Sequence, residues 1–147
     1  MSTAVASAGV EAAPQRLRVL IVDDEPEISE EIAEFLLRFD VEAICVDRCS
    51  AALRALEAGR AFGVMVTDLR MPDMNGIDLL RRVYAPGGIG SETKLKSIVL
   101  TGHGTATDIS AARDAGAFAT LRKPCSLRDL LRTIEAAAEM PLGARPG

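Results

Sequence analysis

The stretch LRVLIVDD, residues 17–24, decides the fold of this chain. Its first six residues are mostly apolar and show little alternation, which is typical of a strand buried on both faces of a parallel sheet. Two acids, Asp23 and Asp24, follow directly. Open α/β sheets bind ligands beyond the carboxyl ends of their strands, so this stretch predicts a functional edge of a sheet.

Three further apolar runs also end in a polar residue. They are GVMVT (63–67) before Asp68, SIVL (97–100) before Thr101, and FATLR (118–122) before Lys123. In a parallel sheet all of these ends lie at one edge. Each residue type suits a phosphate group or a hard metal ion, so the edge is the candidate site.

Helical patterns alternate with the apolar runs along the whole chain. The runs predicted as strands are 17–22, 41–46, 63–67, 97–101 and 117–121. Ser50 is the expected N-cap of the second helix, which stops at Gly59, and Ser126 is the expected N-cap of the last. Strict alternation predicts an α/β fold with a five-stranded parallel sheet and helices on both faces.

The bulk properties fit one domain of 147 residues. The net charge is −4 and no basic stripe is present, so no nucleic-acid partner is expected. No apolar run approaches the roughly 20 residues that span a bilayer, so no membrane contact is expected. The three cysteines predict free thiols and a cytoplasmic location. We expect disorder in 1–16 and 140–147 and a folded domain over 17–139.

The acids at the strand ends suggest phosphoryl chemistry. Adjacent Asp23 and Asp24 favour a hard cation such as Mg²⁺, which takes one or two carboxylates together with water and phosphate oxygens. Asp68 can then act as a nucleophile toward phosphorus. Lys123 offers a charge and Thr101 a hydroxyl donor to phosphate oxygens. Taken singly, each feature is more often a helix cap or a turn, and only their joint placement favours a site.

These residues lie in motifs that resemble the response-regulator receiver family, the CheY-like domains of two-component signalling. The motifs are VDDEPEI (22–28), DLRMPDMNGIDLL (68–80), LTGHG (100–104) and DAGAFATLRKP (114–124). The order and spacing of four short patterns are highly specific for this family: DD, D-x-x-M-P-x-M-x-G, T-G and K-P. The resemblance covers 17–139 and implies a single-domain receiver with a flavodoxin-like fold and the strand order 2-1-3-4-5.

The resemblance implies a ligand set for Mg²⁺ (or Mn²⁺) around the phosphoacceptor. Asp68 is expected to accept a phosphoryl group from a phosphohistidine on a histidine kinase or a histidine phosphotransfer protein. Asp68 and Asp24 would bind the metal directly, and Asp23 would assist through water. The backbone carbonyl of Arg70 would complete the protein ligands.

It also implies roles for the residues that surround the phosphoryl group. Thr101 and Lys123 are expected to contact it. The peptide bond between Lys123 and Pro124 is expected to be cis. Gly76 would let the loop after Asp68 turn sharply.

The chain departs from the family pattern in the region that reports phosphorylation. Thr120 stands where the family usually has Tyr or Phe, and Phe118, two residues earlier, would share its strand face. Cys125 follows Lys-Pro, where Phe is common. Its position beside Lys123 and at a helix start would lower a thiol pKa, but a small apolar filler is the favoured interpretation. His103 is interpreted as a loop residue at the site's rim, with a role in hydrolysis of the acyl phosphate as the alternative.

The leading hypothesis is a stand-alone receiver that acts as a phosphorylation switch or a phosphate relay. Modification of Asp68 would move Thr101 and the loop 102–105 and repack the face of the fourth helix, fifth strand and fifth helix. That face would bind a downstream protein or a second copy of the chain. An excised receiver of a larger protein remains open, although the starting methionine and the natural-looking tail favour a complete chain.

Two other classes of function remain as alternatives. The first is a Mg²⁺-dependent phosphohydrolase with an Asp nucleophile, but such enzymes usually carry a second Asp two residues on, where this chain has Arg70. The second is a receiver-like binding module that is never phosphorylated, which missing acids would signal. We therefore expect a phosphoacceptor signalling domain rather than an enzyme.

Overall fold

The predicted alternation is present in the computed structural model, which describes residues 16–59, 61–102 and 104–142. The strands in these ranges are β1 (Arg18–Val22), β2 (Glu42–Val46), β3 (Val64–Asp68), β4 (Lys96–Thr101) and β5 (Ala119–Arg122). The α-helices there are α1 (Pro26–Leu37), α2 (Cys49–Glu57), α3 (Gly76–Val83), α4 (Ala106–Asp114) and α5 (Leu127–Ala138). Neighbouring strands pair in parallel in the order β2-β1-β3-β4-β5, which confirms the predicted fold.

Two apolar clusters lie on the two faces of the sheet. Because side chains alternate along a strand, Val19 and Ile21 pack with α1 and α5, whereas Leu20 and Val22 pack with α2, α3 and α4. These β1 residues are all at most 1 % exposed. Coverage on both faces explains why the strand runs lack polar alternation.

Within the described part of the chain, three helices begin with a side-chain cap from their own N-cap residue. Ser126 accepts a hydrogen bond from the amide of Asp129, which confirms its predicted role. Asn75 and Thr105 cap α3 and α4 in the same way. The prediction for Ser50 is wrong: α2 begins at Cys49, and its N-cap residue makes no side-chain cap.

The packed part of the chain reaches further toward the C-terminus than the predicted boundary at residue 139. Leu142 is only 6 % exposed and belongs to the cluster on the α1 and α5 face. Met140 packs against the same cluster. The expectations for 1–15 and 143–147 fall outside the described residues.

Tyr84, at the end of α3, packs against two glycines from other parts of the chain. A Cβ at Gly90 would lie 2.5 Å from the Tyr84 ring, and one at Gly116 would lie 2.7 Å from it. The phenol donates to the carbonyl of Leu95 over 2.9 Å and lies 2.8 Å from Oγ of Ser97. The ring therefore joins the end of α3, the turn after α4 and the start of β4.

Candidate functional site

The sheet register brings the polar residues at the strand ends side by side. The paired residues at this edge are Val22 with Thr67, Asp68 with Leu100, and Thr101 with Arg122. Asp23 and Asp68 are thus the next residues on neighbouring strands, and the amide of Lys123 donates to the carbonyl of Thr101 over 2.8 Å. The predicted convergence of strand ends is therefore present.

Three carboxylates form a cluster at this edge. Asp23, Asp24 and Asp68 each contribute an oxygen atom, and these oxygens all lie within 4.8 Å of one another. Asp23 is only 3 % exposed, whereas Asp24 is exposed and Asp68 is intermediate. Oδ1 of Asp23 accepts a 2.8 Å hydrogen bond from the amide of Glu25, so the turn into α1 orients this acid.

Lys123 neutralises part of this negative charge. Its Nζ donates to Oδ2 of Asp68 over 3.0 Å and to Oδ2 of Asp23 over 3.4 Å, and it lies 4.0 Å from Oε1 of Glu25. Burial alone would lower the pKa of Lys123, but the hydrogen bond and charge of Asp68, aided by Asp23, raise it overall. The side chain of Lys123 is therefore protonated and positively charged at neutral pH.

Thr101 ends β4 at the same edge of the sheet as the acids. The residue is 5 % exposed, and its hydroxyl has no hydrogen-bond partner within 16–59, 61–102 and 104–142. Gly104 provides room for this side chain, since a Cβ there would lie 2.6 Å from Cγ2 of Thr101. A buried hydroxyl of this kind is available to donate to an incoming oxygen atom.

Gly76 holds the loop after Asp68 close to the strand. Its amide donates to the carbonyl of Leu69 over 2.7 Å. A Cβ at this position would lie 2.5 Å from the carbonyl oxygen of Asp68. The glycine is therefore required by close approach of two backbone segments. Gly102 differs, because a Cβ there would meet nothing within 4 Å.

The donor set suits a hard divalent ion. Carboxylate oxygens are the protein ligands that Mg²⁺ and Mn²⁺ prefer, and three of them converge here. Arg70 lies in the loop that follows β3, where its backbone pairs with that of Asn75. The use of its carbonyl as a ligand stays a prediction. The bond between Lys123 and Pro124 is cis, as predicted.

Comparison with known families accounts for this arrangement. The family model for the response regulator receiver domain matches residues 19–135, which include all four strand-end positions. The chain belongs to the response regulator receiver family. Receivers are signalling domains rather than classical enzymes, they generally bind Mg²⁺ at an acidic cluster of this kind, and they interact with histidine kinases and downstream effectors.

Relatives of this receiver include transcriptional regulators. It is 37 % identical over 121 residues to the transcriptional regulatory protein FixJ of Rhizobium meliloti, covering 82 % of this chain and 56 % of that protein. It is 29 % identical over 123 residues to the two-component response regulator PprB of Pseudomonas aeruginosa, covering 84 % and 44 %. The chain thus spans about half the length of these curated relatives.

Solved receiver structures have the same fold. The crystal structure of FixJ-N has a TM-score of 0.73 and 34 % identity, covering 86 % of this chain and 96 % of that one. A beryllofluoride-activated NtrC4 receiver domain dimer has a TM-score of 0.74 and 30 % identity, covering 83 % and 96 %. A receiver from Clostridium thermocellum has a TM-score of 0.74 and 31 % identity, covering 84 % and 94 %.

The expectation of a lowered thiol pKa at Cys125 is wrong. Burial raises the pKa of this thiol, and the charge of Asp129 raises it further, which outweighs the opposite effect of Lys123. The side chain packs against the cluster on the α1 and α5 face, as the apolar-filler interpretation predicted. All three cysteines are free, as expected.

The switch region differs in detail from the prediction. β5 begins at Ala119, so Phe118 precedes the strand, and this residue is 45 % exposed. Thr120 lies within β5 and is partly buried. Their roles in output stay predictions. His103, the loop residue expected at the rim of the site, lies outside the described residues.

Sequence reasoning missed two residues that shape the site. Gly104 was part of a motif, but its tight approach to Thr101 depends on the fold of the loop. Asp73 lies within the motif after Asp68, and its carboxylate accepts hydrogen bonds from the start of α2. An Asp beside a turn-forming Pro72 was the one available signal.

Among the described helices, none has the length and apolarity to cross a membrane.

Proposed function

We propose that this receiver accepts a phosphoryl group on Asp68 from a phosphohistidine donor, in a reaction that depends on Mg²⁺ (or Mn²⁺). The donor is a histidine kinase or a histidine phosphotransfer protein. The modified receiver then changes its protein contacts or passes the phosphoryl group on. The observation that carries the proposal is the 3.0 Å hydrogen bond from Lys123 to Asp68, within a cluster of three carboxylates.

The charge balance of the cluster supports a role for a divalent ion. Three acids meet one ammonium group, and Asp24 makes no hydrogen bond or ion pair to another described residue. Asp24 and Asp68 would hold the ion directly, with Asp23 assisting through water and the Arg70 carbonyl completing the set. When bound, the ion would neutralise phosphoryl oxygens as they approach Asp68.

Phosphoryl transfer to Asp68 exchanges one bond to phosphorus for another. An oxygen atom of Asp68 forms a bond to phosphorus as the phosphorus–nitrogen bond of the donor breaks. The electron pair of that bond returns to the imidazole, which leaves as a neutral group when its other nitrogen carries a proton. Lys123 transfers its hydrogen bond from the carboxylate to a phosphoryl oxygen, and the hydroxyl of Thr101 donates to another.

The output of the modification is proposed to pass through α4, β5 and α5. A phosphoryl group carries about −1.5 to −2 charges, which attract the Thr101 hydroxyl and the adjoining loop. The exposed ring of Phe118 lies beside the start of β5, where repacking of Thr120 would reach it. The face would then bind a downstream protein or a second receiver, without nucleic-acid or membrane contact.

We propose that the receiver works in the cytoplasm. Free thiols at all three cysteines support a reducing compartment such as the cytoplasm. The receiver match occupies 19–135 of the 147 residues. We propose that the output of this receiver is a protein contact.

Incubation with acetyl phosphate and Mg²⁺, followed by intact-mass measurement, tests the function. We expect addition of one phosphoryl group to the native chain and none to Asp68→Asn, which keeps the shape of the side chain. Chelation of the metal should abolish the addition. A phosphoryl group that persists in Asp68→Asn would contradict the assignment of the acceptor, and no addition to the native chain would favour the passive binding module.

A further inference from the structure

Asp73 supplies the helix cap that α2 lacks. Its Oδ1 accepts a 3.0 Å hydrogen bond from the amide of Cys49, and its Oδ2 accepts a 2.9 Å hydrogen bond from the amide of Ser50. The N-cap residue of α2, Arg48, makes no side-chain cap. Sγ of Cys49 also contacts the carbonyl oxygen of Met74 at 3.6 Å. The loop after β3 is thus attached to α2 at three points.

The interaction is of a kind that favours a charged carboxylate. Amide groups at a helix start point outward and carry partial positive charge, and a carboxylate that receives two of them is well matched. Hydrogen bonds from the amides of Ser50 and Cys49 lower the pKa of Asp73. Asp73 is therefore ionised at neutral pH, with both oxygens committed to α2.

The same loop is closed at its base beside the proposed metal site. The Gly76 amide bonds to the Leu69 carbonyl, and the backbone of Arg70 pairs with that of Asn75. The tip that carries Asp73 is therefore connected through a short loop, 69–75, to Asp68 and Arg70. A change in the conformation of the loop at Asp73 must therefore be accommodated within residues 69–75.

We infer that Asp73 is a positioning residue for the metal site. By capping α2 it holds the loop 69–75 in the conformation that presents the Arg70 carbonyl and the Asp68 carboxylate to a divalent ion. The inference rests on the proposed function, because it requires that the acidic cluster binds Mg²⁺. Asp73 itself does not touch the ion.

The coupling must act in both directions. If the capped conformation binds Mg²⁺ more tightly, then bound Mg²⁺ stabilises the cap to the same degree. The amides of Cys49 and Ser50 should therefore exchange hydrogen more slowly when Mg²⁺ is present. In Asp73→Ala this protection by Mg²⁺ should disappear, although α2 itself still forms. A cap that served only the stability of α2 would not respond to the metal.

The test is a calorimetric titration of the full chain with Mg²⁺, alongside hydrogen exchange. We expect Asp73→Ala to weaken Mg²⁺ binding about tenfold, at the lower end of the effects of residues that orient metal ligands. Asp73→Asn keeps one acceptor oxygen and should lie between the two. The control is Ala55→Gly, which weakens α2 by about 1 kcal/mol without touching the loop and should leave Mg²⁺ affinity unchanged.

Each other outcome overturns the inference. Mg²⁺ affinity within twofold of the native value in Asp73→Ala would show that the cap is only structural. Equal weakening in Asp73→Ala and Ala55→Gly would show that general stability of α2, rather than the cap, sets the affinity. If the native chain itself fails to bind Mg²⁺, then the inference and the proposed metal site both fail, and the titration of the native chain identifies that case.

Discussion

Lys123 donates a 3.0 Å hydrogen bond to Asp68, the carboxylate that we propose as the phosphoryl acceptor. One ammonium group therefore neutralises carboxylate charge that a bound divalent ion would also neutralise. A bound divalent ion would act on the same carboxylates as Lys123, so we expect the contribution of Lys123 to stability to depend on whether the metal is present.

Replacement of Lys123 by Met should lower the free energy of unfolding without metal by about 1–3 kcal/mol, since hydrogen bonds to charged groups are lost. Added Mg²⁺ should restore part of that loss. Because the pKa of Lys123 is raised in the folded state, its stabilisation is complete below the unfolded pKa of about 10.4 and disappears as pH rises through the folded value. Urea unfolding with and without Mg²⁺ measures this effect, with Lys94→Met, an exposed lysine ahead of β4, as control. Equal losses in the two variants would contradict it.

Replacement of Thr101 by Val should leave the free energy of unfolding unchanged or slightly higher, since the hydroxyl has no partner among the described residues. The matched control is Thr67→Val. Thr67 is also buried, but its Oγ1 donates to the Asp68 carbonyl over 3.0 Å, so its loss should cost about 1 kcal/mol. Beryllofluoride binding in the presence of Mg²⁺ should weaken about tenfold or more in Thr101→Val, because a hydrogen bond to a charged group is lost there. Unaltered binding would remove Thr101 from the proposed site.

Replacement of Gly104 by Ala should destabilise the protein by about 1–3 kcal/mol, because the new Cβ would overlap Cγ2 of Thr101. Gly102→Ala is the control, since its Cβ would meet nothing within 4 Å, and we expect a change of about 0.5 kcal/mol or less. Thermal and urea unfolding give both values. Similar stabilities for the two variants would show that the loop relaxes around the added methyl group.

The contribution of Asp73 to the free energy of unfolding should decrease as pH falls. Its pKa is lowered in the folded state, so the contribution is present above the unfolded pKa of about 3.9 and is lost as pH falls through the folded value. We expect Asp73→Ala to cost about 1 kcal/mol near neutral pH, a modest value because the side chain is exposed. The cost should shrink toward zero in acid. Asp47→Ala, which removes an exposed ion pair with Arg48, should show a smaller effect at neutral pH.

The sequence predicts the sheet edge because each strand there is a short buried run that ends in a polar residue. Asp24, Asp68 and Lys123 could be placed together from that pattern and the parallel topology alone. The cap of α2 could not, since Asp73 lies 23 residues from Ser50 along the chain and only the fold brings them together. The expected cap at Ser50 followed a local preference that a tertiary contact replaced.

Two further departures have similar causes. The nearby charge of Lys123 predicts a lowered pKa for the Cys125 thiol, but burial raises this pKa more strongly, and no local pattern reveals burial. Leu142 lies beyond a proline and a left-handed Glu139, signals that end a helix, and yet its side chain returns to the core. Local sequence signals predict the end of α5 but not the return of Leu142 to the core, which depends on tertiary packing.

The wedge of Tyr84 between Gly90 and Gly116 has a practical consequence. The chain contains one tyrosine and no tryptophan, so its near-ultraviolet absorption and emission as a folded protein come mainly from this ring. Gly116 lies two residues after the end of α4, a helix of the proposed output face. A spectroscopist therefore has an intrinsic optical probe at that joint, and a change in tyrosine emission on adding beryllofluoride would report its rearrangement without any label.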